Sequence, residues 1–369
     1  MASKEDVDEK IRDLYNTTRK EYEAFDRTLS ALASIKFLCT AVTQIANETI
    51  SIDFRAKLQP ASTAAAPYTP DAVITQTNEH TRLIELKTSW SKSDIEQIEK
   101  YAKSEGRLTD KGGVEHFGKH HCILLGYQNT PGDKDLDNLF SRYRKTETPI
   151  PLVVFRYSLE IGPEGNRLFF VRVPDPRNGL CPQNSLGKAF NSTRGFSVSA
   201  ENFRFVRAGF HKANDRVIES YAGIFWWTIY ANGYLTDEQR AQMAERGRLE
   251  TPLILPRESL DKNIPVPPNV EVPFTAKDIK LGLEFLRQAR LVTLKRKKGH
   301  YEVVLKTDKR IRLPKTAPSL GGMEQDVATK IITLYATYKI LKPIKEPTHR
   351  QGLSRKRRDR GSGYLPFPE

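Results

Sequence analysis

Cysteine is scarce, with Cys39, Cys122 and Cys181 the only three in a chain of 369 residues. Their spacings are wide and no CxxC pair occurs. Neither a structural zinc site nor a disulfide framework is therefore expected, and a reducing, cytoplasmic setting fits. Long apolar runs are also lacking. Ile224 to Trp227, IFWW, is far shorter than the roughly 20 residues that a membrane helix needs and reads as buried helix, so no membrane span is expected. The opening residues, MASKEDVDEKIRD, carry charge without an apolar core, which argues against a signal peptide. There is no phosphate-binding loop of the Walker type. Leu186-Gly187-Lys188-Ala189 lacks both the upstream glycine and the hydroxyl residue. An ATP-driven motor within the chain is not expected, although a separate ATPase remains open as a partner. No internal repeat is found.

Positive charge is plentiful. The formal net charge is +14 with a pI near 9.5, which favours a polyanionic partner. Nearly all of the excess sits late in the chain. Residues Leu291 to Lys315 carry nine Lys/Arg against two acids, and Lys342 to Arg360 carry eight against two. The first half is close to balance. The length suggests two or three domains, and a hydrophobic share of 38% is enough for packed cores.

Pro70 to Tyr101, PDAVITQTNEHTRLIELKTSWSKSDIEQIEKY, organises the first half. It reads as strand, turn, strand and helix, with the turn at Thr77 to His80. Side chains alternate across a strand, so Glu85 and Lys87 share one face while Ile84 and Leu86 take the other. In a hairpin, Asp71 reaches the same end as Glu85. Two carboxylates and an ammonium would then meet beside buried strands. That set suits metal-assisted phosphodiester cleavage. Carboxylate oxygens hold Mg²⁺ or Mn²⁺, the metal acidifies a water, and a lysine orients that water or stabilises the transition state.

Pro70-Asp71, a gap of thirteen residues, then Glu85-Leu86-Lys87 resembles the PD-(D/E)XK nuclease superfamily. Gln97-Ile98-Glu99-Lys100-Tyr101 on the next helix resembles the QxxxY motif of the RecB-like branch, with Gln97 and Tyr101 at i and i+4 on one face. The resemblance covers roughly the first 160 residues. It implies a restriction-endonuclease-like core, with a mixed sheet flanked by helices. It also implies Asp71, Glu85 and the Leu86 carbonyl as metal ligands, and Lys87 as the catalytic lysine. Gln97 and Tyr101 would contact DNA or support the metal site. Superfamily members often carry a further acid on the helix before the first strand, and Glu48 is the candidate here. The iron–sulfur cluster of some RecB-like nucleases has no cysteines here to hold it.

Around the motif, Glu5 to about Glu48 is helical in pattern, with a break near Thr28-Leu29. Its stripe of Leu29, Leu32, Ile35, Leu38, Val42 and Ile45 is apolar. Ile50 to Leu58 reads as one strand and Gln59 to Thr69 as a loop. Gly106 to Gly113 is a loop, Cys122 to Tyr127 a buried strand, Lys134 to Lys145 a helix and Pro151 to Tyr157 a strand. His116 and His120 would share a face if that segment were helical, a spacing seen at metal sites. However, no acid or thiol accompanies them, and a surface or DNA-facing role is favoured. Asn166 to Val173 reads as a further strand and Pro174 to Gly187 as an irregular loop. Arg204 to Arg207 with Phe210 reads as a short strand and turn, and Asp215 to Tyr230 as an apolar helix. Thr236 starts another helix, and Pro252 to Pro273 is a linker.

Thr275 caps a helix running to Ala289, with Asp278 three residues on. The hairpin Leu291 to Leu305 follows, turning at Lys298-Gly299. Helix and basic hairpin together resemble a winged-helix module, which would set the helix against the major groove and Lys295, Arg296, Lys297 and Lys298 against phosphates. Lys330 to Leu341 is a last helix. The tail from Ser354, with Arg355, Lys356, Arg357 and Arg358, reads as disordered and adds salt-sensitive affinity for DNA. The expected layout is a nuclease-like domain over 1–175, a middle helical region with a Pro-rich linker over 176–274, the winged-helix-like module over 275–342 and the tail over 343–369. The expected function is a Mg²⁺-dependent DNA nuclease, cytoplasmic and nucleoid-associated, acting alone, as a homodimer or with partner subunits. The alternative is a non-catalytic DNA-binding regulator or adaptor on a degenerate nuclease fold.

Overall fold

The structure, a computed structural model, describes residues 4–54, 56–62, 65–76, 79–109, 111–146, 150–163, 165–202, 235–260, 275–306 and 320–341. It opens with one continuous helix, α1 (Lys4–Ala46), and the expected break near Thr28 is absent. Thr28 and Ser30 turn their hydroxyls onto carbonyls four residues back within the continuous helix. Asn47, in the left-handed region at φ 53°, ends the helix. α1 also holds an apolar window of mean hydropathy 1.5, long enough by composition alone to span a membrane, a test that the core helix of a soluble protein also passes. Leu29, Leu32, Ile35 and Cys39 from this helix are buried in the core against the main sheet.

The expected single strand from Ile50 splits into β1 (Ile50–Asp53) and β2 (Lys57–Gln59). Then come β3 (Ala72–Gln76), β4 (His80–Lys87) and α2 (Lys92–Ala102). A short strand, β5 (Gly106–Leu108), opens the expected loop, and another, β6 (Val114–His116), follows it. β7 (His120–Tyr127), α3 (Asp133–Arg144), β8 (Leu152–Gly162), β9 (Gly165–Arg172), α4 (Ser185–Asn191) and β10 (Phe196–Ser199) complete the first half.

Seven strands form a mixed sheet in the order β1-β3-β4-β7-β8-β9-β10. β4, β7 and β8 run parallel, and the other neighbours are antiparallel. Each parallel step needs a crossover, and α2 and α3 lie in those two connections. The fold class is therefore α/β, with a mixed sheet flanked by helices, as expected. Residues alternate between two cores. Ile84, Leu86, Cys122 and Leu124 pack with α1 and α4. Val73, Leu83, Ile123 and Leu125 pack with α2 and α3. The first core runs on through Val198, beyond the boundary at 175 expected from the sequence.

The later part has a separate core. α5 (Asp237–Arg246) starts with a Thr236/Gln239 capping box. β11 (Leu253–Pro256) lies inside the expected linker, where it pairs with β13. α6 (Ala276–Gln288) carries the expected Thr275/Asp278 capping box. β12 (Val292–Arg296) and β13 (His300–Leu305) form the expected hairpin, giving a sheet ordered β11-β13-β12. α7 (Leu320–Leu341) begins earlier than expected. It stacks Tyr335 on Phe285 of α6 at 4.1 Å and buries Ile332 beside Tyr22 of α1. The expected elements at Arg204–Phe210 and Asp215–Tyr230, much of the Pro-rich stretch and the basic tail lie outside the described residues.

Candidate active site

Antiparallel pairing sets Ala72 against Ile84, so Asp71, one residue before β3, comes level with Glu85. Its backbone N–H donates to the Ile84 carbonyl at 3.0 Å. Its Oδ2 accepts from the Leu86 N–H at 2.8 Å. One more step in the register puts Pro70 opposite Leu86. Proline has no N–H, so that strand offers no ladder donor to the Leu86 carbonyl. The Pro-Asp pair thus ends the ladder where the carboxylates gather. Asp71 is 6% exposed and Glu85 4%.

Glu85 sits in a closed ring of hydrogen bonds. Lys87 Nζ donates to Glu85 Oε1 at 2.7 Å and to Gln97 Oε1 at 2.7 Å. Gln97 Nε2 donates to the Tyr101 hydroxyl at 2.5 Å. That hydroxyl donates to Glu85 Oε2 at 2.8 Å. Gln97 and Tyr101 meet because four residues make about one helical turn. Burial, then the Glu85 charge, pushes the Tyr101 phenol well above its usual range, which keeps it a donor. Tyr101 is 1% exposed. That burial leaves the ring no surface for a contact with DNA, one of the two roles implied for it.

Asp94 is a neighbour that the sequence reading missed. It is 3% exposed, and its Oδ1 lies 4.0 Å from Lys87 Nζ. Its Oδ2 accepts from Ser91 N at 3.0 Å, closing the capping box that starts α2, and from the Tyr127 hydroxyl at 3.1 Å. Burial raises the Asp94 carboxyl, with the Ser91 bond, the Lys87 charge and Tyr127 opposing. The Ser91-x-x-Asp94 pattern was legible as a cap but gave no hint of Lys87.

Glu48 is not part of this group. It bonds Gln76 and Ser185, the latter at 2.8 Å. Gln76 pairs with His80 at the turn end of the hairpin. Four residues of strand separate that end from Ala72, roughly 13 Å. The residues after α1 therefore deliver Glu48 to the wrong end for a shared metal. The histidines do not share a helix, because His116 lies in β6 and His120 in β7. His120 stacks on His80 at 5.2 Å. The three thiols are free and buried, with Cys122 and Cys181 sulfurs 3.6 Å apart.

Comparison with known protein families, with curated proteins and with solved structures finds no match. The site must be judged on its own donors. Among the described residues, no group of three His, Cys, Asp or Glu side chains gathers as a metal cage. Two adjacent buried carboxylates and a backbone carbonyl are all hard oxygen donors. That set fits Mg²⁺ or Mn²⁺, which commonly keep several waters rather than demand an all-protein cage. In the later part, Lys295 to Lys298 are exposed at the end of the β12–β13 hairpin, and Lys297 Nζ comes within 3.9 Å of Glu302.

Proposed function

We propose that this protein is a metal-dependent DNA nuclease of the PD-(D/E)XK type, most simply an endonuclease. The first half would be a restriction-endonuclease-like core, and the β11–β13 sheet with α6 a winged-helix-like DNA-binding module. The observation that carries the reading is the closed ring of Lys87, Glu85, Tyr101 and Gln97, with Asp71 one strand away. A solvated strand edge gives no reason for four polar side chains to be locked together at the end of a buried hairpin. The sheet order β11-β13-β12, with α6 feeding the hairpin, supports the second part.

Asp71, Glu85 and the Leu86 carbonyl would hold the divalent cation, which when bound supplies Lewis-acid polarisation of the phosphate and a more acidic water. The chain's own residues do the rest. Tyr101 fixes the Glu85 carboxylate in one rotamer. Gln97 steers the Lys87 ammonium, only 24% exposed, so that it points out of the sheet end. There it can donate to a phosphate oxygen or hold the attacking water. DNA is the proposed partner, bound through the basic hairpin and tail. A homodimer or a separate ATPase subunit is compatible with the reading, as is a cytoplasmic, nucleoid-associated setting. One observation favours the alternative of a non-catalytic DNA-binding adaptor: Lys87 already pairs with Glu85, the carboxylate that the nuclease reading assigns to a cation.

Plasmid cleavage separates the two. Supercoiled and linear DNA are incubated with wild type, Glu85→Ala and Lys87→Ala in Mg²⁺, Mn²⁺ or EDTA. Wild type should cut only with metal, and both variants should lose at least about a hundredfold in rate while binding DNA normally. Firm binding with no metal-dependent cutting by wild type would sink the nuclease reading in favour of the adaptor.

A further inference from the structure

Lys87 is held between two buried carboxylates. Glu85 Oε1 is in full contact at 2.7 Å, and Asp94 Oδ1 stands off at 4.0 Å. The first belongs to the set that would bind the cation. A carboxylate already paired with an ammonium is a poor metal ligand, because the cation must displace that ammonium and leave it without a counter-charge in a low-dielectric site. Asp94 removes the difficulty. It reaches Lys87 from the opposite element, on the first turn of α2, and it cannot drift. Ser91 N, the Tyr127 hydroxyl and the helix cap fix it. Lys87 has a flexible stem, and closing the gap from 4.0 Å to contact takes about 1 Å of travel at its tip.

We infer that Asp94 is a positioning residue that receives the Lys87 ammonium when a divalent cation takes Glu85, so that Lys87 exchanges one carboxylate for the other instead of being expelled. This rests on the metal-site reading above. Asp94 itself touches neither cation nor substrate. Gln97 Oε1, bonded to Lys87 at 2.7 Å, lies one turn beyond Asp94 on the same helix and acts as the pivot for the movement. Asp94 already pays the desolvation of a buried charge: burial raises its carboxyl, and the Lys87 charge partly offsets this. A closer approach by Lys87 would relieve that penalty.

The test is Mn²⁺ binding to the full chain without DNA, read by electron paramagnetic resonance and calorimetry. Five forms are compared: wild type, Glu85→Ala, Asp94→Asn, Lys87→Met and the Asp94→Asn/Lys87→Met double variant. Asn keeps an oxygen for Ser91 and Tyr127, so the cap survives, and circular dichroism checks the fold. Wild type should bind and Glu85→Ala should not. Asp94→Asn should weaken binding roughly fivefold to tenfold. Lys87→Met should tighten it, and in that background Asp94→Asn should have no further effect, since coupled groups depart from additivity. Asp94→Asn binding like wild type while Glu85→Ala abolishes binding would overturn the exchange and leave the metal site standing. An equal loss in both backgrounds would also overturn it, showing that Asp94 acts only through the helix cap. Wild type that fails to bind, or Glu85→Ala that binds normally, would overturn the site reading and the exchange with it.

Discussion

At the scale of single residues, Tyr101 does more than the QxxxY pattern implies. Its hydroxyl ties Glu85 Oε2 to the helix, and it also receives Gln97. Tyr101→Phe keeps the ring in the core but removes its bonds to the Gln97 amide and to Glu85 Oε2. Losing bonds to buried polar groups costs about 1–3 kcal/mol, so the urea midpoint should fall by a corresponding amount, and Lys87 should lose its fixed direction through Gln97. An unchanged midpoint would mean that water or another group takes over. The residues of this site were legible because short-range geometry sets them. Strand alternation pairs Glu85 with Lys87, and helix pitch pairs Gln97 with Tyr101. Glu48 was misplaced for the opposite reason. Its position depends on where a 43-residue helix ends against the sheet, which no local pattern encodes. Asp94 was missed because its link to Lys87 crosses from helix to strand and, unlike Gln97 and Tyr101, it belongs to no motif that pointed to it.

At the scale of elements, β7 backs the strand that carries Glu85 and Lys87. Their parallel register sets Leu86 beside Gly126. A Cβ on Gly126 would lie 2.6 Å from the Phe155 ring and 2.7 Å from Leu86 Cδ2. The absent side chain leaves room for the Leu86 side chain and the Phe155 ring. Gly126→Ala should therefore cost about 1–3 kcal/mol through overpacking, visible as a lower thermal midpoint. It should also weaken Mn²⁺ binding, because the displaced Leu86 moves both flanking charges. A stable variant with normal binding would show that Phe155 gives way at no cost. Element type was readable where periodicity was long, as in α1, β4 and α6. It failed where elements were short. β5 and β6 have three residues each, too few for alternation to register. β11 sits among prolines that mark a linker, yet as an edge strand it needs partners on one side only.

At the scale of the whole molecule, charge and chemistry are segregated. The site is a compact set of buried groups in the first half, close to charge balance, whereas the excess of the +14 total lies late in the chain. α7 joins the halves by packing on α6 and on α1, so the basic hairpin and the sheet are not independent beads. For the nuclease proposed above, such an arrangement would give binding and cleavage different salt dependences. Each phosphate contact releases about one counterion, so affinity falls steeply with salt, whereas the buried ring is shielded from it. Replacing Lys295, Arg296, Lys297 and Lys298 with Gln should weaken DNA binding uniformly across sequences and flatten the plot of log affinity against log salt by up to about 3 to 4 units. If the chain is the nuclease proposed above, cleavage at saturating DNA should stay near the wild-type rate, because all four belong to the β12–β13 hairpin of the later core and not to the β3–β4 site. A mutant with wild-type affinity and an unchanged slope would mean that the hairpin does not touch phosphate. The DNA would then have to be held by the sheet half or by the tail, and deleting residues 343–369 would tell those two apart.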